Sequence, residues 1–420
     1  MSLNMTDKIL KHHLLKGNLR AGSIIEVKID RIMVHESIAQ GISEAIEKLG
    51  AKKLKNPENI ISVLDHFSPA PDENAAIMHQ KCREFVKRFH ITHHYDIKGG
   101  ICHQVMIEDF VEPGQLIIGS DSHSTTYGAL GCFGVGLGFT DVALAMVRGC
   151  TWIKVPQTIK IYLKGELPVG TCGKDVILYM LSQMGTEGAN YKALEFSGPG
   201  LKELTMDDRF SICNMAAETG AKAAVMPVDS ITRNYLHERM GQDIFEIFPE
   251  PSAQYSSCQE INLSNLTPMV AKPNSPDNVC SVNQISGIKI DQVFIGGCNN
   301  GRLSDLRQAA TILKGKKIAS SVRLLVYPAS YRVLKMAIED GTLECLIDAG
   351  AVLGPPCCGP CFGAHLGLLG PGERCFSVTN RNFLGRMGSK KAEIYLGSPF
   401  TAAATALNGR ITDPRQYVIL

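Results

Sequence analysis

Three cysteines in the C-terminal third of the chain have the spacing of iron–sulfur ligands. Cys358 and Cys361 form a C-x-x-C pair, and Cys298 follows a short apolar stretch and two glycines. A C-x-x-C pair lets two adjacent thiolates reach one metal centre, and a distant loop would add a third ligand. A four-iron cluster held by only three thiolates keeps one iron open, as Lewis-acid chemistry requires. A catalytic [4Fe-4S] cluster is therefore one chemistry that the pattern suits.

Two other chemistries fit the same cysteines. The tetrapeptide from Cys358 to Cys361 has the letters of the thioredoxin redox motif, although no tryptophan precedes it and it lies late in a long chain. The pair would also suit structural zinc, with Cys357, Cys375 or His365 as a fourth ligand. The residue types alone leave cluster, zinc and redox chemistry open.

The composition is that of an ordinary globular protein. Of 420 residues, 45% are hydrophobic and 20% are charged, and the formal net charge is +2. This near-neutral charge gives no reason to expect nucleic acid or an anionic membrane as a partner. No apolar run reaches the ~20 residues that span a bilayer. Fourteen cysteines without a recognisable signal peptide indicate a reducing compartment, which we expect to be the cytoplasm.

The chain is expected to form three α/β units, residues 1–156, 157–286 and 287–420. A Val-Pro step near residue 156 marks the first boundary, and a stretch rich in Pro, Asn and Ser (266–286) is typical of a linker. Periodicity in the third unit predicts strands near 292–295 and 323–326 and a helix near 303–313. Alternating strands and helices of this kind predict doubly wound sheets around a shared cleft.

Polar side chains follow four of the predicted strands or their turns. In open α/β sheets, ligands bind beyond the carboxyl ends of the strands. Four such positions that combine His, Asp, Cys and Arg therefore predict one active cleft. They are His103 in a Gly-rich turn, the run 120–124 with Asp121 and His123, Cys298, and the pair Asn380-Arg381.

The glycine-rich run 131–138 calls for a separate interpretation. Its spacing differs from the G-x-G-x-x-G of dinucleotide sites, and no acidic residue ends a following strand. We therefore expect these glycines to permit close packing of backbone against backbone.

Taken together, the motifs resemble the aconitase superfamily, closest to the large subunits of 3-isopropylmalate dehydratase and of methanogen-type homoaconitases. The resemblance runs over nearly the whole chain and favours the cluster over zinc or redox chemistry. The motifs that carry it are Asp65-His66, residues 102–105, residues 119–123, residues 294–302, Cys358 to Cys361, and residues 380–386.

The resemblance implies a cluster and a group that protonates the leaving oxygen. Cys298, Cys358 and Cys361 match the three ligands of a [4Fe-4S] cluster with one open iron. That iron would bind the substrate hydroxyl and make hydroxide a feasible leaving group. Asp65 with His66 resembles the pair that protonates this hydroxyl as it leaves.

Two further histidine–carboxylate pairs are implied near the iron. His103 is expected to pair with Asp121, and His123 with Glu195, which lies between the apolar residues 194 and 196. A carboxylate behind a histidine fixes its tautomer and raises its basicity, as acid–base catalysis requires.

The resemblance also implies the groups that bind the substrate. Ser122 matches a substrate-contacting serine, and Asn380 matches a residue that lines the cluster. Arg381 and Arg386 match arginines for substrate carboxylates, where a planar guanidinium can bind two oxygens at once.

The implied function is that of a hydro-lyase for a hydroxy di- or tricarboxylic acid. Isopropylmalate, an intermediate of leucine biosynthesis, is the first expectation, and homocitrate/homoaconitate or 2,3-dimethylmalate are the alternatives. Outside this class, the chain would be a thiol redox protein or an iron-regulated binding protein.

A heterodimer is expected. In single-chain relatives a swivelling fourth domain supplies the serine that removes the proton, whereas this sequence ends about forty residues after Arg381. Even small domains need ~50 residues. We therefore expect a separate small subunit to carry that domain.

Overall fold

The computed structural model describes residues 2–241 and 244–418, so the last two residues of the third predicted unit lie outside it. Among these residues the fold is mixed α/β, as predicted, with four sheets. Within these ranges, every helix is too short or too polar to cross a membrane.

Short strands are distributed over the whole chain. Strands β4, β6 and β15 are buried along their entire length, as expected where helices cover both faces of a parallel sheet. The strands are β1 (Leu14–Lys16), β2 (Ile24–Lys28), β3 (Arg31–His35), β4 (Ile60–Val63), β5 (His93–Tyr95), β6 (Leu116–Gly119), β7 (Phe133–Gly136), β8 (Cys150–Lys154), β9 (Gln157–Lys164), β10 (Lys192–Ser197), β11 (Ala223–Val225), β12 (Ser257–Asn262), β13 (Met269–Ala271), β14 (Val279–Ser281), β15 (Gln292–Ile295), β16 (Arg323–Val326), β17 (Val352–Leu353), β18 (Arg374–Ser377) and β19 (Glu393–Leu396).

The helices alternate with these strands, and several begin at a capping side chain. Asp72 and Ser398 accept a backbone N–H of the first turn of α3 and α13, which satisfies a donor that the helix itself cannot. The helices are α1 (Met5–His12), α2 (Glu36–Lys48), α3 (Glu73–Arg88), α4 (Cys102–Asp109), α5 (Phe139–Arg148), α6 (Gly173–Met184), α7 (Met206–Met215), α8 (Ser230–Met240), α9 (Gly297–Asn300), α10 (Leu303–Leu313), α11 (Tyr331–Glu339), α12 (Thr342–Ala349) and α13 (Pro399–Asn408).

Two of the sheets have a topological switch point that bears on function. The first parallel sheet has the order β5-β4-β3-β6-β7. Strands β4 and β5 are added on one side of β3, and β6 and β7 on the other, so the strand order reverses between β3 and β6. In the large sheet, of order β14-β13-β19-β18-β15-β16-β17, the reversal lies between β15 and β18. A crevice opens at such points beyond the carboxyl ends of the strands. Both crevices are therefore places to look for a ligand site.

The remaining sheets connect these two. Strands β1, β2 and β8 form an antiparallel sheet, and β11-β10-β9-β12 form a parallel one. The largest apolar cluster contains Tyr127 from the first part, Ile161 from β9 and Phe294 from β15. The core is thus continuous from one sheet to the next, and it holds the two crevices in a fixed relation.

The predicted linker is wrong in part. Residues 269–271 and 279–281 form β13 and β14, which pair antiparallel with each other, and β13 pairs with β19. The turn-forming residues of this stretch lie between and around two short strands at the edge of the large sheet. The division of the chain into three units stays a prediction.

The expectation for the glycine-rich run is confirmed at Gly134 and Gly136 but not at Gly138, where an added Cβ would meet only a side-chain atom at 3.8 Å. A Cβ atom on Gly134 would lie 2.2 Å from the carbonyl oxygen of Ser124, and one on Gly136 would lie 2.6 Å from that of Asp121. Both distances are shorter than any van der Waals contact. The glycines therefore let β7 approach the loop that carries Asp121.

Candidate active site

The predicted site residues converge on the two switch points. Ser120 to His123 follow β6, and Cys298 lies in α9 directly beyond β15. Asn380 and Arg381 follow β18. The sequence placed His103 in a turn, but it lies in the first turn of α4, where it is buried. Local sequence thus puts polar residues where apolar strands end, and the sheet order brings those ends together.

Asp65 and His66 form a buried ion pair in the loop after β4. The Nδ1–H of His66 donates to Oδ1 of Asp65 at 2.7 Å, and the backbone N–H of Cys102 donates to Oδ2 at 2.7 Å. Burial alone would lower the pKa of His66, but the charge and hydrogen bond of Asp65 outweigh it and raise the pKa to about 10. His66 is therefore an imidazolium at neutral pH and carries a proton that it can donate.

His35 and Glu36, which the sequence did not single out for the site, support this pair. Glu36 accepts the backbone N–H groups of Asp65, His66 and Phe67 at 3.1, 2.7 and 2.7 Å. The His35 ring stacks on that of His66 with centroids 4.2 Å apart, and burial together with the charge of His66 lowers its pKa to about 3. The signal in the sequence was the place of both residues at the carboxyl end of β3.

Asp121 joins two imidazoles. Its Oδ1 accepts hydrogen bonds from Nε2 of His103 and from Nδ1 of His123, both at 3.0 Å. Burial would raise the pKa of Asp121, but the two imidazoles outweigh it and hold the pKa well below the ordinary value. The predicted contact between His103 and Asp121 is present, and the same carboxylate also orients His123.

The predicted pairing of His123 with Glu195 is wrong. Nε2 of His123 hydrogen-bonds Oε1 of Glu218 at 2.9 Å. Glu195 instead accepts the backbone N–H groups of Met5 and Thr6 at 3.1 and 2.7 Å, at the N-terminus of α1. The unpaired amide groups and the helix dipole favour a carboxylate there, but burial outweighs them and raises the pKa of Glu195. Glu195 therefore has a structural environment, and Glu218 has the position next to the histidine.

Sequence reasoning missed Glu218 for a definable reason. It lies in a short 3-10 helix, residues 216–219, that extends α7, and a single sequence shows no motif there. Asn214, four residues earlier, was not singled out from the sequence either. Asn214 does reach the site, where its Nδ2 lies 3.2 Å from Sγ of Cys298.

Arg381 links the histidine system to the open side of the cleft. Its Nε donates to Oε1 of Glu218 and its Nη2 donates to Oγ of Ser122, both at 2.8 Å. The Arg381 side chain keeps 23% of its surface exposed, whereas that of Glu218 keeps 4%. A guanidinium held in this way offers its outer edge to a carboxylate from solvent.

Arg386 lies somewhat apart. Its guanidinium carbon lies 5.4 Å from the ring centroid of Phe362. Its Nε is buried and lacks a hydrogen-bond partner in the described part of the chain. Such a donor suits a ligand oxygen, in line with the predicted role in substrate binding.

Two of the three predicted thiols contact Asn380, and the third contacts Asp65. Nδ2 of Asn380 lies 3.3 Å from Sγ of Cys298, and its Oδ1 lies 3.7 Å from Sγ of Cys361. Sγ of Cys358 lies 3.6 Å from Oδ2 of Asp65, which places this thiol beside the ion pair. His103, His123 and Cys298 also bring their ligand atoms within 4.8 Å of one another. The thiols thus border both groups of catalytic candidates.

The donor set fits an iron–sulfur cluster. All three cysteines are free thiols, and two amide groups point at the sulfur of Cys298, an interaction that tunes such clusters. Among the described residues, no group of three close metal ligands contains both cysteines of the C-x-x-C pair. One zinc ion with Zn–S bonds of about 2.3 Å would need its sulfur atoms within roughly 4 Å of each other. The described residues therefore hold no preformed site for a single zinc ion at this pair.

The two alternative uses of the cysteines find less support. Burial raises the pKa of Cys358 well above the ordinary value, whereas a reactive redox thiol needs a lowered one. Sγ of Cys357 lies 3.9 Å from Nδ1 of His365, and Nε2 of that histidine already bonds the carbonyl of Pro69 at 2.8 Å.

Lys174 is a second residue that the sequence did not single out. It is fully buried, and its Nζ donates to Oδ1 of Asn299 at 2.6 Å and to the carbonyls of Thr379 and Val378 at 2.6 and 3.0 Å. Burial lowers its pKa to about 7. Three acceptors match the three N–H groups of an ammonium, so we describe Lys174 as charged. It ties α6 to the loops that carry Cys298 and Asn380.

Comparison with known proteins gives matches along the full chain. Two relatives are named 3-isopropylmalate dehydratase large subunit: one from Methanopyrus kandleri, 44% identical with 100% of both chains covered, and one from Campylobacter concisus, 46% identical with 99% of this chain and 100% of the relative covered. A homoaconitase large subunit from Thermus thermophilus is 45% identical, with 99% of this chain and 98% of the relative covered.

A solved structure shares the fold. The crystal structure of Thermococcus kodakaraensis aconitase X in its holo form superposes with a TM-score of 0.52 at 13% identity, covering 85% of this chain and 84% of that one. The sequence pattern of the aconitase family (aconitate hydratase) matches residues 7–409. With full-length relatives above 40% identity and a shared fold, the chain belongs to the aconitase family.

Proposed function

We propose that this chain is the large, catalytic subunit of a hydro-lyase of the 3-isopropylmalate dehydratase type. It would hold a [4Fe-4S] cluster through Cys298, Cys358 and Cys361. The observation that carries the proposal is the contact of Cys298 and Cys361 with Asn380 and of Cys358 with Asp65, beside a charged imidazolium and a partly exposed guanidinium. The relatives with the names given above have the same length and similar sequence.

The bound cluster would supply one open iron that acts as a Lewis acid on the substrate hydroxyl. The leaving oxygen also needs a proton, and His66 is the candidate donor. Asp65 keeps it protonated, with a pKa of about 10, and Glu36 fixes the loop that carries both residues. A general acid of this kind contributes about 10²–10⁴-fold to a rate.

The second histidine system would manage protons on the other side of the cleft. Both ring nitrogens of His123 face a carboxylate, Asp121 on one side and Glu218 on the other. His103 shares Asp121 and contacts the hydroxyl of Tyr127 at 3.1 Å. These contacts fix the ring orientations, which an acid–base group needs in order to act at a defined atom.

Substrate carboxylates would bind at Arg381 and Ser122, with Arg386 as a further donor. Glu218 holds Nε of Arg381, so the exposed edge of the guanidinium is already oriented. Orientation of this kind lowers the entropic cost of binding a dicarboxylate.

The base that removes the α-proton would come from a separate small subunit. The relatives are named large subunits, which implies assembly with a smaller chain. The groups described above serve the leaving oxygen and the carboxylates. The small subunit would bring a serine on a swivelling domain, and the assembly would work in the cytoplasm.

Isopropylmalate is the proposed substrate, within leucine biosynthesis. Homocitrate is the second candidate, because the homoaconitase large subunit from Thermus thermophilus is as similar to this chain as the isopropylmalate enzymes are. The residues described here bind the part that both substrates share, a hydroxyl next to carboxylates. The choice between them would then depend on the small subunit.

The test is anaerobic reconstitution with iron and sulfide, followed by assays with a small subunit of 3-isopropylmalate dehydratase. Turnover should require both subunits and should be highest with isopropylmalate among a panel that includes homocitrate and 2,3-dimethylmalate. Cys361→Ser should abolish iron incorporation, and Cys258→Ser, at an exposed cysteine, should leave it unchanged. Full iron content in the Cys361 variant, or full turnover by the large chain alone, would contradict the proposal.

A further inference from the structure

A small cavity adjoins the candidate active site at Ser122. It is lined by Ser122, Asn190, Tyr191 and Lys222 together with glycine and alanine residues, and we call it the Lys222 pocket. Its volume is about 200 Å³. Sites for drug-sized ligands usually have ~300–1,000 Å³. The Lys222 pocket therefore suits one part of a small acid and is too small for a nucleotide cofactor.

The pocket lies between two turns that backbone hydrogen bonds hold together. The N–H of Tyr191 donates to the carbonyl of Gly220 at 3.1 Å, and the N–H of Lys222 donates to the carbonyl of Lys192 at 2.8 Å. Gly220 ends the 3-10 helix that carries Glu218, with a φ of 83° that favours glycine. The helix that supports the histidine site thus also forms one wall of the pocket.

The ammonium group of Lys222 has few partners within the protein. Among the described residues it takes part in no ion pair, and its Nζ donates to the carbonyl of Gly136 at 3.3 Å. Its Nζ also lies 5.5 Å from the ring centroid of Tyr191. An ammonium has three N–H groups, so two remain for a ligand. Burial lowers the pKa of Lys222, and the charge of Asp141 opposes this only in part, so a bound anion would stabilise the charged form.

Two further side chains that line the pocket can donate hydrogen bonds. Oγ of Ser122 accepts from Nη2 of Arg381 at 2.8 Å, which leaves its O–H group for another acceptor. Asn190 is exposed and presents its side-chain amide. The two oxygens of a carboxylate can accept several hydrogen bonds. An ammonium, a hydroxyl and an amide in one pocket therefore match a carboxylate.

The acids near the pocket do not compete for its ammonium. None of the described residues that line the pocket is acidic. Asp121 and Glu218 lie close in sequence, but both accept hydrogen bonds from His123, and Glu218 also accepts from Arg381. Glu187 is exposed and does not line the pocket. The charged group within the pocket is thus a cation, which attracts an anion.

We propose that the Lys222 pocket binds a second carboxylate of the hydroxy acid, next to the one at Arg381. The proposal rests on the proposed function for the identity of the substrate, and it adds a residue that selects it. Lys222 would pair with this carboxylate, while Ser122 and Asn190 would donate hydrogen bonds to it. Ser122 would then stand between two carboxylate sites, and the cleft would favour acids with at least two carboxylates.

The first test measures binding without turnover. The reconstituted large chain alone is titrated with isopropylmalate in a calorimeter. Lys222→Gln should raise Kd about 10-fold, as expected for the loss of a hydrogen bond between charged groups. Lys222→Arg keeps the cation and should recover most of the affinity. The matched control is Lys154→Gln, because Lys154 lies over the same Tyr191 ring, at 5.4 Å, but is exposed and does not line the pocket.

The second test separates binding from catalysis and from folding. With the small subunit present, Lys222→Gln should raise KM for isopropylmalate with kcat nearly unchanged, because the lost contact serves substrate and transition state alike. Iron content and thermal unfolding of the same samples should match the wild type. Asn190→Asp is a second variant at an exposed position, and it should also raise Kd because the new carboxylate would compete for the ammonium.

Each outcome has a distinct meaning. Wild-type Kd in both Lys222→Gln and Asn190→Asp would overturn the carboxylate subsite, while turnover of isopropylmalate by the wild-type pair would leave the proposed function intact. An equal rise of Kd in Lys154→Gln would also overturn it, since the effect would then come from overall charge. A raised Kd in the pocket variants alone, with no turnover of any hydroxy acid by the wild-type pair, would support the subsite and contradict the function.

Discussion

Glu218 has the position beside His123 that was predicted for Glu195, so variants of these two glutamates give the sharpest test of the site. Glu218→Gln removes the negative charge that faces Nε2 of His123 and Nε of Arg381, at 2.9 and 2.8 Å. If His123 is an acid–base group, kcat should fall by roughly 10²–10⁴-fold, or about 3–5 kcal/mol at 1.36 kcal/mol per tenfold. Iron content should stay at the wild-type level, because Glu218, His123 and Arg381 are not proposed cluster ligands.

Glu195→Gln should behave in the opposite way. Oε2 of Glu195 accepts from the N–H of Met5 and the hydroxyl of Tyr255, and Oε1 accepts from the N–H of Thr6. An amide keeps only one oxygen, so at least one buried donor faces an NH₂ group. An unpaired buried donor costs about 1–3 kcal/mol. The free energy of unfolding should fall by that amount, with normal turnover per folded molecule.

The assay compares both variants in one preparation. Turnover with the small subunit is normalised to iron content, and stability comes from urea unfolding of the same samples. The reasoning would be refuted if Glu195→Gln lowered kcat by 10²-fold or more at unchanged stability. It would fail equally if Glu218→Gln kept full turnover.

Three further outcomes are expected. Burial raises the pKa of Glu195, so the folded chain holds this proton to higher pH than the unfolded chain does. The contribution of Glu195 to the free energy of unfolding is complete below about pH 4.5 and should decrease as pH rises. In urea titrations, the stability of the wild type relative to Glu195→Gln should therefore fall from pH 4 to pH 8. Lys174→Met removes three buried hydrogen bonds and should lower iron incorporation in cluster reconstitution, unlike an exposed Lys→Met change. Gly128→Ala would place a Cβ 1.5 Å from the carbonyl oxygen of Ala224 and should cost at least about 1–3 kcal/mol in thermal unfolding, whereas Gly138→Ala meets only a side-chain atom at 3.8 Å and should be nearly neutral.

Much of the fold was predictable because its pattern is local. The strands at 292–295 and 323–326 and the helix at 303–313 appear at the predicted bounds, since apolar periodicity alone defines them. The grouping of polar residues at strand ends was predictable for the same reason. Because ligands bind beyond the carboxyl ends of the strands in open α/β sheets, these residues also predicted the position of the cleft.

The errors came from contacts between distant parts of the chain. Glu195 lies in a central strand of its sheet, and only the tertiary arrangement shows that the N-terminus of α1 lies against it. Glu218 and Lys174 find their partners 95 and 125 residues away in sequence. A single sequence carries no signal for such pairs, whereas Asp65 and His66 are adjacent in sequence.

The contacts of helix α1 also bear on how the chain is made. Leu3 and Asn4 bond Glu250 and Gln254, and the first helical amides bond Glu195. The ribosome must therefore add some 250 residues before the start of the chain has its partners, roughly 10–50 s at about 5–20 residues per second. Until then the backbone amide of Leu3 and the side-chain amide of Asn4 lack these partners and can bind water or a chaperone.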